Sequence, residues 1–149
     1  MNKIIPFILV ITFLILGFFL LNKSQDENFS EEYYVKIAGK NIKVELVDTP
    51  AGHAQGLSGR QGLNNDEGML FIFDKSSIYP FWMKDMKFAI DIIWISEEKK
   101  VIYIKKDAKP EDYPQSYNPE SPALYVLEVA TGFSEKNNLK VGDEIEFSL

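Results

Sequence analysis

Cysteine is absent from this chain, histidine occurs once, and no stretch of the sequence is rich in lysine or arginine. The absence of cysteine excludes disulfide bonds, zinc thiolate sites, iron–sulfur clusters and thiol nucleophiles. Because His53 is the single histidine, a metal site built from several histidines of one chain is also excluded. We therefore expect neither a bound metal ion nor a cofactor.

Positive charge is also in short supply. The 149 residues include 16 lysines and arginines against 22 aspartates and glutamates, which leaves a formal net charge of −6. Nucleic-acid binding needs a cationic surface that faces the phosphates, so this balance predicts that nucleic acid is not a partner. The length is sufficient for one domain with a substantial core.

An uncharged apolar run lies close to the start of the chain, where residues 4–21 read IIPFILVITFLILGFFLL. A helix of that length, at about 1.5 Å per residue, extends about 27 Å, which is near the thickness of a bilayer's hydrocarbon core. No small-x-small cleavage site follows the run. We predict an uncleaved transmembrane signal-anchor at 4–21 after a short tail at 1–3. A cleaved signal peptide is the alternative.

The predicted anchor makes the chain a single-pass protein of the cytoplasmic membrane. Lys3 and Lys23 flank the run and give little charge bias, so its N-terminal position decides the orientation. We expect the tail inside the cell and the rest of the chain on the extracytoplasmic side. Residues 22–32 are polar and acidic, which predicts a flexible tether to a single β-rich domain at 33–149.

Short apolar segments alternate with turn residues throughout this domain. They predict about eight strands and one or two small helices, the first capped by Thr49 with Pro50 at its first position. The pattern is typical of a mainly β, compact antiparallel barrel or sandwich. Segment 81–95, FWMKDMKFAIDIIWI, reads as one long bent strand or as two strands meeting near Lys87. Segment 107–122 carries four prolines and predicts a long functional loop.

Six blocks of residues together resemble one known family. They are GLSGR (56–60), GMLFIF (68–73), FWMK (81–84), Asp91 followed by IIWI, YVLEV (125–129) and VGD (141–143). In this order they resemble the family called domain of unknown function 192, over most of residues 40–149. The resemblance implies a compact β-rich domain of a kind that is often exported or membrane-tethered. It implies no particular reaction.

Four charged residues, Arg60, Lys84, Asp91 and Glu128, stand out from their surroundings. Lys84, Asp91 and Glu128 are each the one charge on an otherwise apolar strand face, and Arg60 lies in a glycine-bearing loop. Burying an unpaired charge costs at least several kcal/mol, so we expect these groups to be paired or to face a ligand. Glu128 is the first predicted partner of Lys84 and Asp91 the second, with Arg60 serving the remaining carboxylate. The set forms either a dry structural cluster or a polar pocket at the mouth of a barrel.

Aromatic residues supply a second candidate surface. Trp82, Tyr113 and Tyr117 are predicted to line a groove beside the long loop, where they would stack on sugars or hold a peptide. The alternative is that the tyrosines pack the loop onto the domain. The reference pKa of histidine lies near neutrality, as a general base requires, but no Ser-His-Asp arrangement can be assembled around His53. We therefore expect a surface histidine on a short helix.

These features predict a membrane-anchored, extracytoplasmic binding or accessory module. Besides the membrane, contacted through residues 4–21, its expected partner is a small molecule, a glycan or an envelope protein. One alternative is an envelope hydrolase or lyase that uses carboxylates with His53. The sequence disfavours an enzyme because it shows no paired acid and base. Another alternative is a structural partner of an envelope protein, displayed through the long loop.

Overall fold

The computed structural model describes residues 32–148, so the predicted tail, the anchor at 4–21 and most of the tether lie outside the described residues. Among residues 32–148, no helix is long and apolar enough to span a bilayer. The strands, in chain order, are β1 (Tyr33–Ile37), β2 (Lys40–Val47), β3 (Glu67–Ser77), β4 (Phe81–Trp82), β5 (Ile90–Ile95), β6 (Val101–Ala108), β7 (Ser116–Tyr117), β8 (Ala123–Ala130) and β9 (Glu146–Ser148). The helices are α1 (Pro50–Gln55) and α2 (Phe133–Lys136), with a 3-10 turn at Pro110–Asp112.

Seven strands form one sheet in the order β6-β5-β8-β3-β2-β1-β9, and β4 pairs separately with β7. Neighbouring strands run antiparallel except for β2 and β3, which are parallel. A parallel pair needs a crossover connection, and α1 with the loop after it supplies one here. The expectation of an antiparallel domain is therefore wrong at this pair of strands.

The sheet is curled into a half-barrel. One core cluster contains both Val35 of β1 and Val101 of β6, which lie near opposite ends of the strand order. Such a cluster requires the sheet to bend around a shared interior. Backbone N–H groups of Val101 and Ile145 donate to the carbonyls of Asp143 and Lys99, each at 2.9 Å, and join the two ends. The expected mainly β class with short helices is confirmed, and its architecture is a curled half-barrel.

A second core cluster covers the outer face of the same sheet. Because side chains alternate along a strand, Phe71, Ile92 and Val126 point away from the interior and form this cluster. Leu57, from GLSGR, and Met83, from FWMK, complete it and are both buried. The two most distinctive sequence motifs therefore cover the outer face of the sheet.

Segment 81–95 is not continuous strand. It is interrupted at 83–89, where Asp85 adopts a positive φ of 56° and Lys84 lies exposed in a turn. The turn is fastened to the GLSGR segment: Ser58 Oγ donates to the Lys84 carbonyl at 2.8 Å, and Gly59 N–H donates to the Asp85 carbonyl at 2.9 Å. The reading as one long strand is therefore wrong. The reading as two strands is right in number, but β4 and β5 are separated by this turn and do not meet near Lys87.

Candidate functional site

A half-open cleft of about 120 Å³ lies on the outer face of the sheet. Its floor comes from β3 and β8, one wall from α1 and the turn after it, and the other wall from residues 79–86. We call this space the aromatic cleft, after the rings that line it together with one carboxyl group. These lining residues are His53, Phe71, Phe73, Tyr79, Phe81, Trp82 and Glu128.

Glu128 supplies the acidic group on the floor. It stands opposite Met69 of β3 and Ile92 of β5, so both lateral neighbours in the sheet are apolar. Only 5% of the residue is exposed. Strand alternation places it on the same face as Phe71, which is the reason a carboxyl group reaches this otherwise apolar floor.

The carboxyl group of Glu128 is poorly satisfied. Its Oε2 is buried and has no hydrogen-bond partner among residues 32–148. Burial raises the pKa of Glu128 from 4.5 to about 8, and the positive charge of Arg60 offsets only part of this effect. In the empty cleft at neutral pH, the group is therefore mostly the uncharged acid.

Gly56 ends helix α1 beside Phe71 and the Glu128 carboxyl group. Helix α1 begins with the Thr49 side chain accepting from Gly52 N–H at 3.1 Å, and it ends at Gly56 with a φ of 48°. A Cβ on Gly56 would lie 3.3 Å from Phe71 Cζ and 4.0 Å from Glu128 Oε2. Both the positive φ and the close approach to Phe71 require glycine here, so the backbone of the turn packs directly against the floor of the cleft.

His53 joins the helical wall to the sheet. Its Nε2 lies 3.1 Å from the carbonyl oxygens of both Val47 and Ile72. Two acceptors require Nε2 to carry the proton, which leaves only Nδ1 able to act as a base. The ring is half-buried, 4.4 Å from that of Phe73. His53 lies on a short helix as expected, but its ring is half-buried against the sheet and is not fully at the surface.

The opposite wall consists of rings that hold one another. Tyr79 stacks on Phe73 with a centroid distance of 3.6 Å, and Phe81 meets Phe71 edge-on at 4.9 Å. The Trp94 indole N–H donates to the Tyr79 carbonyl at 2.8 Å, which ties this wall to β5. The cleft is therefore a preformed apolar site with one buried acid.

The four predicted polar residues do not form one pocket. Arg60 makes a two-pronged contact with Glu45, in which Nη2 donates to Oε2 at 2.7 Å and Nη1 donates to Oε1. This contact lowers the pKa of Glu45 below its ordinary value. Arg60 reaches Glu128 only as a nearby charge, and Lys84 forms no ion pair with Glu128 or Asp91 among the described residues. The predicted Lys84 pairing is wrong because the interrupted strand leaves Lys84 in solvent.

Asp91 has a purely structural setting. It is buried on the inner side of the sheet and accepts backbone N–H groups from Asp107 at 2.9 Å, Ser134 at 2.8 Å and Gly132 at 3.3 Å. These bonds hold the end of β6 and the start of α2. Asp91 therefore matches the expectation of a dry structural group and not that of a ligand-facing one.

The three predicted groove aromatics are divided between two roles. Trp82 and Tyr113 are both exposed, with rings 6.2 Å apart in an edge-on arrangement, and Trp82 lies at the cleft. Tyr117 is buried, donates its hydroxyl to Asp112, and has the Lys105 ammonium 4.7 Å from its ring centre. Tyr117 thus packs the long loop onto the domain, whereas the other two remain accessible.

Several residues of the site were missed by sequence reasoning. Phe71 and Phe73 fall in the GMLFIF block but are not among the predicted site residues, and neither is Glu45. One usable signal was the alternation in GMLFIF, since residues 69, 71 and 73 share a face as Val126 and Glu128 do. In the described part of the chain, no three acidic or histidine side chains are grouped to hold a metal ion.

Taken together, the fold is a curled β half-barrel whose outer face carries an aromatic cleft over a buried acid. The family described as "Uncharacterized ACR", DUF192, matches residues 33–147. This chain belongs to that family, and the resemblance seen in the sequence motifs is confirmed.

Two solved structures show the same fold. One is a protein of unknown function from Novosphingobium aromaticivorans DSM 12444, with 31% identity and a TM-score of 0.71 over 77% of this chain and 83% of that one. The other, from Sinorhizobium meliloti 1021, is described as a candidate transcription regulator, with 27% identity and a TM-score of 0.72 over 78% and 92%. No curated protein matches this chain.

Proposed function

We propose that this protein is a binding module that takes a small ligand into the aromatic cleft. It is held at the cytoplasmic membrane by an N-terminal transmembrane anchor at residues 4–21, with the β domain on the extracytoplasmic side. The uncharged run at 4–21 supports the anchor. The cleft on the outer face of the sheet supports the binding role.

The single observation that carries this proposal is the unsatisfied carboxyl group of Glu128. A buried polar atom without a partner costs about 1–3 kcal/mol, and because Glu128 also lines a cleft, its unpartnered oxygen supports a contact with another molecule there. The aromatic lining supplies apolar contact area around that one polar group, which is the usual composition of small-molecule sites.

The size of the cleft limits the ligand. Its volume of about 120 Å³ is close to that of the engineered cavity, about 150 Å³, that takes up benzene. The cleft therefore accommodates one ring or one compact branched group, with the rest of a larger molecule outside. Exposed Trp82 at the mouth is available to contact that remaining part.

A titration with ring-sized probes tests the binding role. Cyclohexanol and methyl glucoside are added to the full chain in nanodiscs, and binding is followed by the fluorescence of exposed Trp82, since Trp94 is fully buried. Ala54 and Ala51 are exposed positions of the same helix, but only Ala54 lines the cleft. We expect saturable binding to wild type and Ala51→Phe, and at least fivefold weaker binding to Ala54→Phe. Equal binding to both variants, or no saturation with either probe, contradicts the proposal.

The anchor is tested separately by fractionation. We expect the full chain to sediment with membranes and a chain lacking residues 4–21 to remain in the supernatant. Protease added to spheroplasts should digest the β domain. Survival of the domain, under conditions in which a known external protein is cut, would reverse the proposed orientation.

An envelope hydrolase or lyase is the second candidate function. The observation that favours it is that His53 and Glu128 line the same cleft, with the Glu128 pKa raised toward that of a general acid. Against it, the Nε2 proton of His53 is engaged by two carbonyls. Turnover that is lost in both His53→Gln and Glu128→Gln would favour the enzyme over the binding module.

A structural role toward an envelope protein is the third candidate. It is favoured by the exposed aromatic pair of Trp82 and Tyr113 beside the long loop. A cross-linked partner that is lost in Trp82→Ser with Tyr113→Ser, but retained in Ala54→Phe, would place recognition on the loop and not in the cleft.

A further inference from the structure

The lining of the aromatic cleft favours a cationic ligand over an anionic one. Aromatic rings and one acid line it, and no lysine or arginine is among its lining residues in the described chain. Aromatic rings attract cations through their negative faces, and a ring-lined site with a carboxylate is the usual receptor for an organic ammonium ion. The net charge of −6 also favours the approach of a cation.

Within residues 32–148, no cationic side chain makes an ion pair with the Glu128 carboxyl group. Arg60 is the nearby cation, and both of its terminal nitrogens already contact Glu45. From α1 the titratable group facing the cleft is His53, whose Nε2 is held by two backbone carbonyls, and from the opposite wall it is Tyr79. The neighbours of Glu128 on β3 and β5 are uncharged.

We propose, on the basis that the cleft is a binding site, that its ligand is a small organic ammonium ion about the size of a trimethylalkylammonium group. The cationic head lies against the Glu128 carboxylate and among the rings of Phe71, Phe81 and Trp82. The cleft of about 120 Å³ admits such a head and leaves its substituent at the open mouth.

Binding of this ligand releases a proton. Glu128 is mostly the neutral acid in the empty cleft, because burial raises its pKa to about 8. The ammonium ion stabilises the carboxylate, so the acid proton leaves to solvent as the cation enters, and charge is conserved within the site. Affinity should therefore rise about tenfold per pH unit below pH 8 and level off above it. A neutral ligand that accepts from the protonated acid has the opposite dependence.

Choline and its carbon isostere 3,3-dimethylbutan-1-ol form a matched pair of probes for this inference. The two differ in charge and hardly in shape. Each is titrated into the full chain in nanodiscs from pH 6 to pH 9 with Trp82 fluorescence as the readout. Calorimetry in two buffers of different ionisation enthalpy counts the protons released. We expect choline to bind at least tenfold more tightly at pH 8 than at pH 6.5, with close to one proton released at pH 6.5, and the alcohol to show neither effect.

Glu128→Gln separates charge from shape. It keeps the volume and a neutral polar group, so we expect it to retain the alcohol and to weaken choline at least tenfold with loss of the pH dependence. Glu144→Gln, at an exposed carboxylate of the segment before β9, removes the same charge outside the cleft and should leave choline binding unchanged. The wild-type pH profile tests the inference even where Glu128→Gln folds poorly.

The possible outcomes distinguish this inference from the broader binding role. Alcohol binding that equals or exceeds choline binding, without pH dependence, overturns the ammonium ligand and leaves the binding module in place. If neither probe binds, the ammonium ligand is overturned, and the binding role then depends on the cyclohexanol and Ala54→Phe titration alone. If Glu144→Gln weakens choline binding as much as Glu128→Gln does, the binding reflects general charge attraction. That result also overturns the inference.

Discussion

Asp91 and Glu128 are two buried carboxyl groups on adjacent strands with contrasting surroundings. Asp91 stands opposite Val129, the residue next to Glu128, and the two carboxyl residues are 1% and 5% exposed. They point to opposite faces of the sheet. Asp91 accepts three backbone N–H groups, whereas Glu128 Oε2 has no hydrogen-bond partner in the described chain.

The comparison shows that burial alone does not tell whether a carboxyl group stabilises the fold or is available to a ligand. The N–H groups around Asp91 replace the hydrogen bonds to water that its carboxyl group loses on burial, so this residue stabilises the fold. Glu128 has apolar neighbours and is kept neutral by burial, so above its ordinary pKa it opposes folding, and it remains available to a ligand. The predictions below test this contrast, beginning with the largest effect.

Asp91→Ala should cause the largest loss of stability. The substitution leaves three backbone donors without their acceptor at the end of β6 and the start of α2, at a cost of about 3–5 kcal/mol in the free energy of unfolding. Chemical denaturation of the full chain in detergent, followed by near-UV circular dichroism, measures the change. Asp74→Ala, at an exposed position, is the matched control and should have little effect. If Asp91→Ala lowers the free energy of unfolding no more than Asp74→Ala does, Asp91 does not stabilise the fold and the contrast with Glu128 is wrong.

The pH dependence of the free energy of unfolding should show that Glu128, unlike Asp91, destabilises the fold when it ionises. Its folded-state pKa is raised from 4.5 to about 8, so the unfolded chain releases this proton at a lower pH than the folded chain does. Stability linked to Glu128 is therefore present in full below about pH 4.5 and is lost as pH rises toward 8. Relative to Glu128→Gln, wild type should lose about 2 kcal/mol between pH 6 and pH 7.5.

Denaturant titrations of both proteins at several pH values measure this difference. Glu144→Gln serves as the control for loss of an exposed carboxylate and should run parallel to wild type. Parallel curves for wild type and Glu128→Gln would mean that burial does not raise the pKa of Glu128 in the folded chain.

Breaking the Arg60–Glu45 contact should have a smaller effect. Both side chains are partly exposed, so Arg60→Gln should reduce the free energy of unfolding by about 0.5–1 kcal/mol. Arg60 also lowers the pKa of Glu128, so the same variant should shift the Glu128 titration to higher pH. A double-mutant cycle of Arg60→Gln and Glu45→Gln measures the interaction free energy of the two side chains. A value near zero would show that Arg60 stabilises the fold through other contacts.

Lys84→Met should have the smallest effect of all. Lys84 is exposed in a turn, and only its backbone carbonyl is used, so the side chain can be replaced with a change of about 0.5 kcal/mol or less. The melting temperatures of Lys84→Met and Ser58→Ala are compared with that of wild type. Lys84→Met reports on the Lys84 side chain, whereas Ser58→Ala removes the hydrogen bond to the Lys84 carbonyl and reports on the backbone. A large drop in the melting temperature of Lys84→Met would contradict this prediction and would favour the Lys84–Glu128 ion pair expected from the sequence.

Much of the secondary structure could be read from the sequence because it depends on local patterns. Thr49 and Pro50 begin a helix as expected, and β8 at Ala123–Ala130 follows its alternating pattern. The same alternation correctly set Glu128 on an apolar face. It failed at 83–89, since apolar residues there are buried by a turn that covers the sheet and not by a strand within it.

The candidate site could be predicted only in part. Glu128 and Trp82 were identified as unusual residues, but Phe73, Tyr79 and Gly56 join them from separate elements that meet only in the fold. The proposed Lys84–Glu128 pairing shows the limit: complementary charges in a sequence do not give the distance between them. That distance depends on bonds such as Ser58 Oγ to the Lys84 carbonyl.

The sequence by itself determined the family, the mainly β class with short helices, and the exclusion of cysteine-based chemistry, because these follow from composition and short-range patterns. Only the tertiary structure decided which acid is satisfied and which is not. Asp91 and Glu128 look alike along the chain, and the neighbours that distinguish them are up to 43 residues away in the case of Ser134. Long-range packing places three N–H groups around one carboxyl and apolar rings around the other, and that physical difference assigns one to the fold and the other to the cleft.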